Sequence, residues 1–275
     1  MSAAADRCTA YGGAMSDKVI KFRHMHESGL LVLPCAWDLP SARLLAALPE
    51  VSAIGTSSAA VAAVLGAADG QLVRAEAMIE AVGAVVRAVD LPVSADLEGG
   101  YEDVYGTVRA AIEVGVAGVN LEDTAHPSTD LHGAEQAADR VAQARRAAED
   151  AGVPIVINAR TDTWWSGGGD HAEGVDRLLR YWDAGASCLF APGLPWQELP
   201  SVLRELGGAP LNVLAGPGMP SLAELAAAGV RRVSTGSGLA RVAWDAARQA
   251  MSGLLAGTAP ATGLSYEELS RVMAR

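Results

Sequence analysis

Residues 92–101 read PVSADLEGGY, an apolar strand that runs into two acidic residues and then two glycines. The acids, Asp96 and Glu98, are two positions apart. In extended backbone, residues two apart point to the same side, so we expect both carboxylates to face one site. Residues 116–123, VAGVNLED, repeat the plan with an apolar run that stops at Glu122. The pattern predicts parallel strands whose acidic ends gather at one edge of a sheet.

Eight such apolar, β-rich runs alternate with Ala-, Leu-, Arg- and Glu-rich stretches that have helical spacing. The predicted strands are 31–36, 51–56, 91–95, 118–121, 154–158, 187–190, 210–214 and 231–234. Strict alternation of strand and helix indicates an all-parallel sheet with helices outside it. Eight units close as a (β/α)₈ TIM-type barrel, with the chemistry at the carboxyl ends of the strands. A doubly wound open sheet is the alternative, disfavoured because no GxGxxG turn follows the first strand.

The composition of the chain limits the classes of function that we expect for it. The chain has 275 residues, half of them hydrophobic, which suits one barrel domain over residues 15–275, preceded by a loose extension at 1–14. A net charge of −11 argues against nucleic acid and anionic membranes as partners. No signal peptide or membrane-spanning run is evident. Three scattered cysteines without a CxxC indicate a reducing compartment, and we expect a cytoplasmic protein.

The acids at the strand ends suggest a hard divalent cation, because no Lys or Arg lies near them in sequence. Mg²⁺ binds through one or two carboxylates and keeps several waters. Arg160, at the end of the fifth strand, can grip a carboxylate or phosphonate with two parallel hydrogen bonds. Two simpler interpretations stay open: a strand-end Asp is often a helix N-cap, and Arg160 could form a structural ion pair with Asp162 or Asp123. Cys35 and Cys188 are predicted to be small core residues.

Three motifs carry a family resemblance: SADLEGGY at 94–101, GVNLED at 118–123 and NARTD at 158–162. In this order they resemble the metal and substrate motifs of the isocitrate lyase/phosphoenolpyruvate mutase superfamily. The resemblance runs from about residue 34 to residue 239 and implies a (β/α)₈ barrel that binds Mg²⁺ and 2-oxo acids or their enolates. It also implies a homodimer or homotetramer in which the last barrel helix, predicted within residues 238–255, is exchanged between subunits.

The resemblance assigns roles to individual residues. Asp96 corresponds to the direct Mg²⁺ ligand, while Glu98 and Glu122 would hold the waters of the metal; Mn²⁺ is an alternative ion. Arg160 would anchor the ligand, and Asp69, on the loop after the second strand, is a catalytic candidate. The remaining candidates bind substrate or move a proton: Ser57, Ser58, Ala59, Asn212 and His126.

Departures from the family pattern bear on the reaction. The loop at 124–133 reads TAHPSTDLHG and has neither the Cys stretch of the isocitrate lyases nor the Lys and Asn-Ser of the phosphonate enzymes. The loop looks more like that of the 2-oxo acid decarboxylase and uncharacterised branches. We therefore expect a Mg²⁺-dependent carbon–carbon lyase or decarboxylase that acts on a small 2-oxo acid through an enolate. The alternatives are a phosphonopyruvate hydrolase or mutase and a catalytically silent keto-acid-binding barrel.

The proton that the enolate needs has three candidate sources. They are His126, Asp69 and a water held by the metal, and the sequence does not choose among them.

Overall fold

The computed structural model describes residues 17–165, 169–259 and 263–274. The extension expected at 1–14 lies outside the described residues. The strands are β1 (Leu31–Leu33), β2 (Cys35–Ala36), β3 (Ile54–Thr56), β4 (Val93–Asp96), β5 (Gly118–Glu122), β6 (Val156–Arg160), β7 (Cys188–Phe190), β8 (Leu211–Leu214) and β9 (Arg232–Ser234). Every named pair of neighbouring strands is parallel.

The sheet closes on itself through a break at Pro34. In the strand order β1-β9-β8-β7-β6-β5-β4-β3-β2, the two ends are consecutive in the chain. β1 pairs with β9 and β2 pairs with β3, so the two pieces fill one barrel position. Proline has no N–H to donate, but its carbonyl still accepts from the Gly55 amide at 2.8 Å. The structure therefore confirms the eight-position parallel barrel.

The described helices pack outside the barrel and follow the strands in order. They are α1 (described over 17–24), α2 (Leu39–Ala46), α3 (Ser58–Val64), α4 (Ala75–Ala88), α5 (Val104–Glu113), α6 (Ala134–Asp150), α7 (His171–Asp183), α8 (Leu199–Glu205), α9 (Leu222–Ala228), α10 (Gly238–Leu255) and α11 (Tyr266–Met273). Their buried faces, such as Met78 and Val82 of α4, pack on the strands and form one main core. This arrangement fixes the strand ends that carry the polar residues.

The structure bears on the expectations about the cysteines and about membrane-spanning segments. Cys35 and Cys188 are buried and free, as predicted for small core residues. Among the helices that the structure describes, none combines the length and the apolar character that a bilayer crossing requires. The cytoplasmic location stays a prediction.

Helix α10 covers little of its own barrel. Ala240 is its buried residue, while Val242 is 68% exposed and Leu255 is 78% exposed. Trp244 touches Trp37 edge-on with ring centroids 6.3 Å apart, and α11 then folds back against α2. The apolar stripe predicted for this helix is therefore not buried within a single chain.

Candidate active site

A cavity of about 160 Å³ opens at the carboxyl ends of the strands. It is where a (β/α)₈ barrel carries its chemistry. Six residues predicted from the sequence line it: Ser57, Ser58, Ala59, Asp69, Asp96 and Arg160. The other four predicted residues, Glu98, Glu122, His126 and Asn212, are not on its wall.

Asp96 ends β4 and is held by three hydrogen bonds. One carboxylate oxygen accepts from the Ser58 amide and the Ser58 hydroxyl, both at 2.9 Å. The other oxygen accepts from Asn120 Nδ2 at 2.8 Å, and Asn158 donates in turn to Asn120 at 2.8 Å. The carboxylate is thus fixed in position on the cavity wall. Because both Ser58 donors are used by Asp96, the expectation that they bind a substrate carboxylate is not supported, and Ser57 is the hydroxyl left for that role.

Glu98 corrects the expected side-by-side pair of acids. Its backbone is left-handed, with φ +52°, so the extended geometry assumed between Asp96 and Glu98 is wrong. One carboxyl oxygen accepts from the Gly70 and Gln71 amides at 3.1 and 3.0 Å, and Oε2 is buried with no partner among the described residues. Burial, with smaller effects of nearby Asp69 and Asp96, raises the pKa of Glu98 to about 7 against the lowering effect of the Gln71 and Gly70 amides.

Backbone strain is concentrated beside this carboxyl group. Gln71 and Tyr101 also have positive φ, at +58° and +61°, and they complete the set of such non-glycine residues in the described chain. Each residue costs about 1–2 kcal/mol in this region. The tight turn after β4 needs Gly100, at φ +81°, where a Cβ would meet Leu121 and Val104 at 3.1 Å. The strain is confined to the loops after β3 and β4. It therefore indicates that the site requires the Glu98 carboxyl group in this position.

Arg160 and Glu122 form a buried ion pair behind the cavity. Arg160 Nη1 lies 2.8 Å from Glu122 Oε2, and Arg160 Nε lies 2.6 Å from Asp162 Oδ1. Burial raises the pKa of Glu122, against the opposite effect of the Arg160 charge. Arg160 also faces the cavity. Its Cζ atom lies 5.7 Å from the ring centroid of Trp165 and 5.7 Å from that of Phe190. The ion-pair alternative is therefore right for Asp162, and Arg160 remains available to a ligand.

His126 lies on the far side of Glu122. Its Nε2 is 2.5 Å from Glu122 Oε1, and this hydrogen bond raises the pKa of His126. The histidine lines a second, more open cavity that also contacts Gly70 and Gln71. It therefore lies outside the main cavity and is connected to it through Glu122 and then Arg160.

Asn212 does not reach the cavity. Its side chain is fully buried and exchanges hydrogen bonds with the Ser234 hydroxyl at 3.1 and 3.2 Å. Its amide is therefore used inside the barrel, and its predicted role in substrate binding is not supported. Ser234, its partner, is the residue that lines the cavity.

Several lining residues were missed from the sequence, above all Asn120, Phe190 and Arg232. Strand parity was the signal that could have found one of them. Arg232 stands two positions before Ser234 in β9, so both side chains point to the barrel interior. Phe190 is visible in the sequence only as an apolar residue at a strand end.

The donor set fits a Mg²⁺ ion. Asp69 and Asp96 line the cavity, and both raise the pKa of the buried Glu98 carboxyl group, whose Oε2 has no partner among the described residues. Among the described residues, no three His, Cys, Asp or Glu side chains are placed to ligate one ion together. Mg²⁺ is commonly bound through one or two carboxylates and keeps its other waters, so this spacing suits it. Asp96 would hold the ion, with Glu98 and Glu122 behind its waters.

Fold and site together define a class: a parallel (β/α)₈ barrel with an acidic site and one arginine at the carboxyl ends of its strands. Comparisons agree. A family model described as phosphoenolpyruvate phosphomutase matches residues 22–255. An uncharacterised protein of Mycobacterium tuberculosis is 37% identical over 223 residues, which are 79% of this chain and 82% of that protein. The oxaloacetate decarboxylase of Pseudomonas entomophila is 32% identical over 229 residues, which are 78% of this chain and 77% of the decarboxylase.

A solved structure is similar over nearly the whole chain. It is a candidate lyase/mutase from Burkholderia cenocepacia, with a TM-score of 0.89 and 35% identity, covering 96% of this chain and 98% of that one. The chain belongs to the isocitrate lyase/phosphoenolpyruvate mutase superfamily.

Glu98 predicts a pH dependence of stability in metal-free protein. Its pKa of about 7 lies above the ordinary value of 4.5, so between these pH values the folded state binds the proton more tightly than the unfolded state. The free energy of unfolding should therefore fall as pH rises from about 5 to about 7. Urea unfolding of the wild type and Glu98→Gln in a chelator, at several pH values, measures this. Equal slopes in both proteins would remove Glu98 as the source.

Proposed function

We propose that this protein is a Mg²⁺-dependent carbon–carbon lyase, most simply a decarboxylase, that acts on a small 2-oxo acid through an enolate. One observation supports the proposal above all: the fixed carboxylate of Asp96 and the cationic guanidinium of Arg160 line the same small cavity. Such a cavity suits a metal at one side and an anionic substrate end at the other. The named decarboxylase relative supports the same class of reaction.

The residues of the site have different roles in the proposed reaction. Bound Mg²⁺ would supply Lewis-acid stabilisation of the oxyanion that develops as the carbon–carbon bond breaks. Arg160, held by Glu122 and Asp162, orients the substrate carboxylate, and the Ser57 hydroxyl lies on the same cavity wall. The buried surroundings strengthen each of these interactions relative to water.

A phosphonate reaction is the second candidate, because the matching family model is described as phosphoenolpyruvate phosphomutase. The loop at 124–133 has no lysine in its sequence, which argues against a trianionic phosphonate. A silent binding barrel is the third, and the fixed carboxylate of Asp96 on the cavity wall, with the strained backbone of Glu98 beside it, argues against it.

A substrate panel separates these candidates. The protein is assayed with Mg²⁺ against 2-oxo dicarboxylates, malate-type lyase substrates and phosphonopyruvate, with pyruvate, CO₂ and phosphate measured in parallel. We expect CO₂ or a cleaved 2-oxo acid without phosphate. Phosphate release alone would establish the second candidate, and binding without any product would establish the third.

We propose His126, acting from the neighbouring cavity, as the proton donor, because Glu122 orients it and raises its pKa. We expect His126→Ala to lower kcat by about 100-fold, the lower end for a general acid, with a smaller change in KM. His132→Ala, on the same loop, is the matched control and should keep its kcat. A normal kcat in His126→Ala would leave Asp69 or a water as the source of the proton.

We also propose a homo-oligomer, in which a second subunit covers the exposed apolar face of α10. Val242 and Leu254, 68% and 53% exposed, are large apolar residues that a soluble helix rarely leaves uncovered together. Light scattering should show a dimer or tetramer at micromolar concentration, and Val242→Glu with Leu254→Glu should shift it towards monomer. Gln197→Glu, an exposed loop change of similar charge, is the control. A monomeric wild type would contradict the assembly.

A further inference from the structure

Arg232 is a buried arginine. The ion pairs and hydrogen bonds of the described residues do not explain why it is there. It is 4% exposed, and its Nε and Nη1 have no hydrogen-bond partner among the described residues. No ion pair of the described chain includes it. Yet it lines the same cavity as Asp96 and Arg160. A guanidinium in this position is costly unless something compensates its charge.

The titratable neighbours of Arg232 do not neutralise it. Burial lowers the pKa of His26 to about 4, so the imidazole is neutral near pH 7. Burial raises the pKa of Cys188 to about 12 and also raises that of Cys35, so both remain thiols. Among the described residues, Asp96 is the acid whose charge acts on Arg232, and its oxygens already accept from Ser58 and Asn120. The guanidinium is therefore free to receive an anion.

The register of the sheet places Arg232 and Arg160 on the same side of the barrel wall. Arg160 pairs with Phe190, Phe190 with Asn212 and Asn212 with Arg232. Paired residues on neighbouring strands point to the same face, so both arginines point inward. They stand on β6 and β9, three strand positions apart in the ring of eight. Two separated cationic groups thus face one small cavity.

We propose that Arg232 binds a second carboxylate of the substrate, so that the site takes a small 2-oxo dicarboxylate. The inference rests on the proposed function for the identity of the first carboxylate, which Arg160 anchors. A planar guanidinium matches a carboxylate with two parallel hydrogen bonds, and either donor pair joins Nη2 to one of the two unpartnered nitrogens, Nε or Nη1. Arg232 is then a specificity-determining residue, because it raises the affinity of the site for a ligand with two carboxylates relative to a monocarboxylate.

A binding experiment without turnover tests this role. L-malate and L-lactate share a 2-hydroxy acid end and differ in the second carboxylate, and calorimetry with Mg²⁺-loaded protein measures both affinities. We expect the wild type to bind malate at least about 10-fold more tightly than lactate. Arg232→Met should weaken malate about 10- to 100-fold, the range for a charge-assisted hydrogen bond, and leave lactate unchanged. Arg232→Lys, which keeps the charge, should fall between the two.

Arg241→Met is the matched control, because Arg241 lines the cavity but is exposed. Its loss should change malate affinity less than the loss of Arg232, since solvent screens an exposed charge. Thermal unfolding reports whether each variant folds, and if Arg232→Met does not, the preference of the wild type and Arg232→Lys for malate decides.

Three outcomes overturn the inference. They are a wild type that binds malate and lactate equally, an Arg232→Met variant that keeps the preference, and Arg232-dependent competition by inorganic phosphate but not by malate. None of these depends on catalysis. An Arg232-dependent preference for malate in a protein that converts no 2-oxo acid would support Arg232 and reject the proposed function instead.

Discussion

Replacing Asp96 with alanine is expected to abolish Mg²⁺-dependent turnover, with a loss of at least about a thousandfold in kcat, or about 4 kcal/mol of transition-state stabilisation. The reason is that Asp96 is the fixed carboxylate on the cavity wall, held by Ser58 and Asn120. The same change should sharply weaken Mg²⁺ or Mn²⁺ binding, which calorimetry measures directly. Stability should fall by only about 1–3 kcal/mol, because the Ser58 and Asn120 donors lose their acceptor.

The control for Asp96 removes an acid of the same charge from the surface. Asp90 is exposed and lies before β4, so Asp90→Asn should leave metal affinity and kcat at the wild-type values. A folded Asp96→Ala protein with unchanged Mg²⁺ affinity would show that the metal assignment is wrong.

The Arg160→Lys variant should keep the positive charge and lose the two-pronged grip. We expect kcat/KM to worsen by about 1–3 kcal/mol, roughly 5- to 150-fold. Lysine offers one nitrogen, which cannot pair with Glu122 and Asp162 and also hold a substrate carboxylate as the guanidinium can. Steady-state kinetics on the best substrate of the panel measures the loss.

Arg177→Lys is the control for this change. Arg177 is also a buried, paired arginine, but its partners are Asp123 and Glu173, away from the cavity. Its replacement should lower thermal stability and leave kcat/KM unchanged. If Arg160→Lys instead showed wild-type kinetics and reduced stability, Arg160 would be a structural ion pair alone.

The barrel was predictable because its signal is repeated. Eight apolar runs separated by helical stretches specify a parallel ring, and each predicted run overlaps a strand of the structure. The break at Pro34 was not predicted, since an apolar run gives no indication of which residues pair with which neighbour. It matters little for the fold, because the Pro34 carbonyl still joins the ladder.

The position of the acids followed from the strand ends, but their orientation did not. Glu98 is turned by a left-handed backbone that depends on the following glycines and on amides from a loop 27 residues earlier. Ser58 was predicted to bind substrate, yet its donors are used by an aspartate 38 residues away. Such long-range contacts leave no local signal in one sequence. Arg232, by contrast, could have been found, since its parity with Ser234 places it inside the barrel.

Release of CO₂ and pyruvate from oxaloacetate shows whether the protein is a Mg²⁺-dependent decarboxylase. Because free Mg²⁺ also promotes this decarboxylation, the rate is measured by carbon NMR at equal Mg²⁺ with wild type, with Asp96→Ala and with buffer. We expect that the wild type exceeds both controls by about a thousandfold or more and that a chelator removes the excess. A wild-type rate equal to that of Asp96→Ala, in a protein that releases phosphate from phosphonopyruvate, would contradict it.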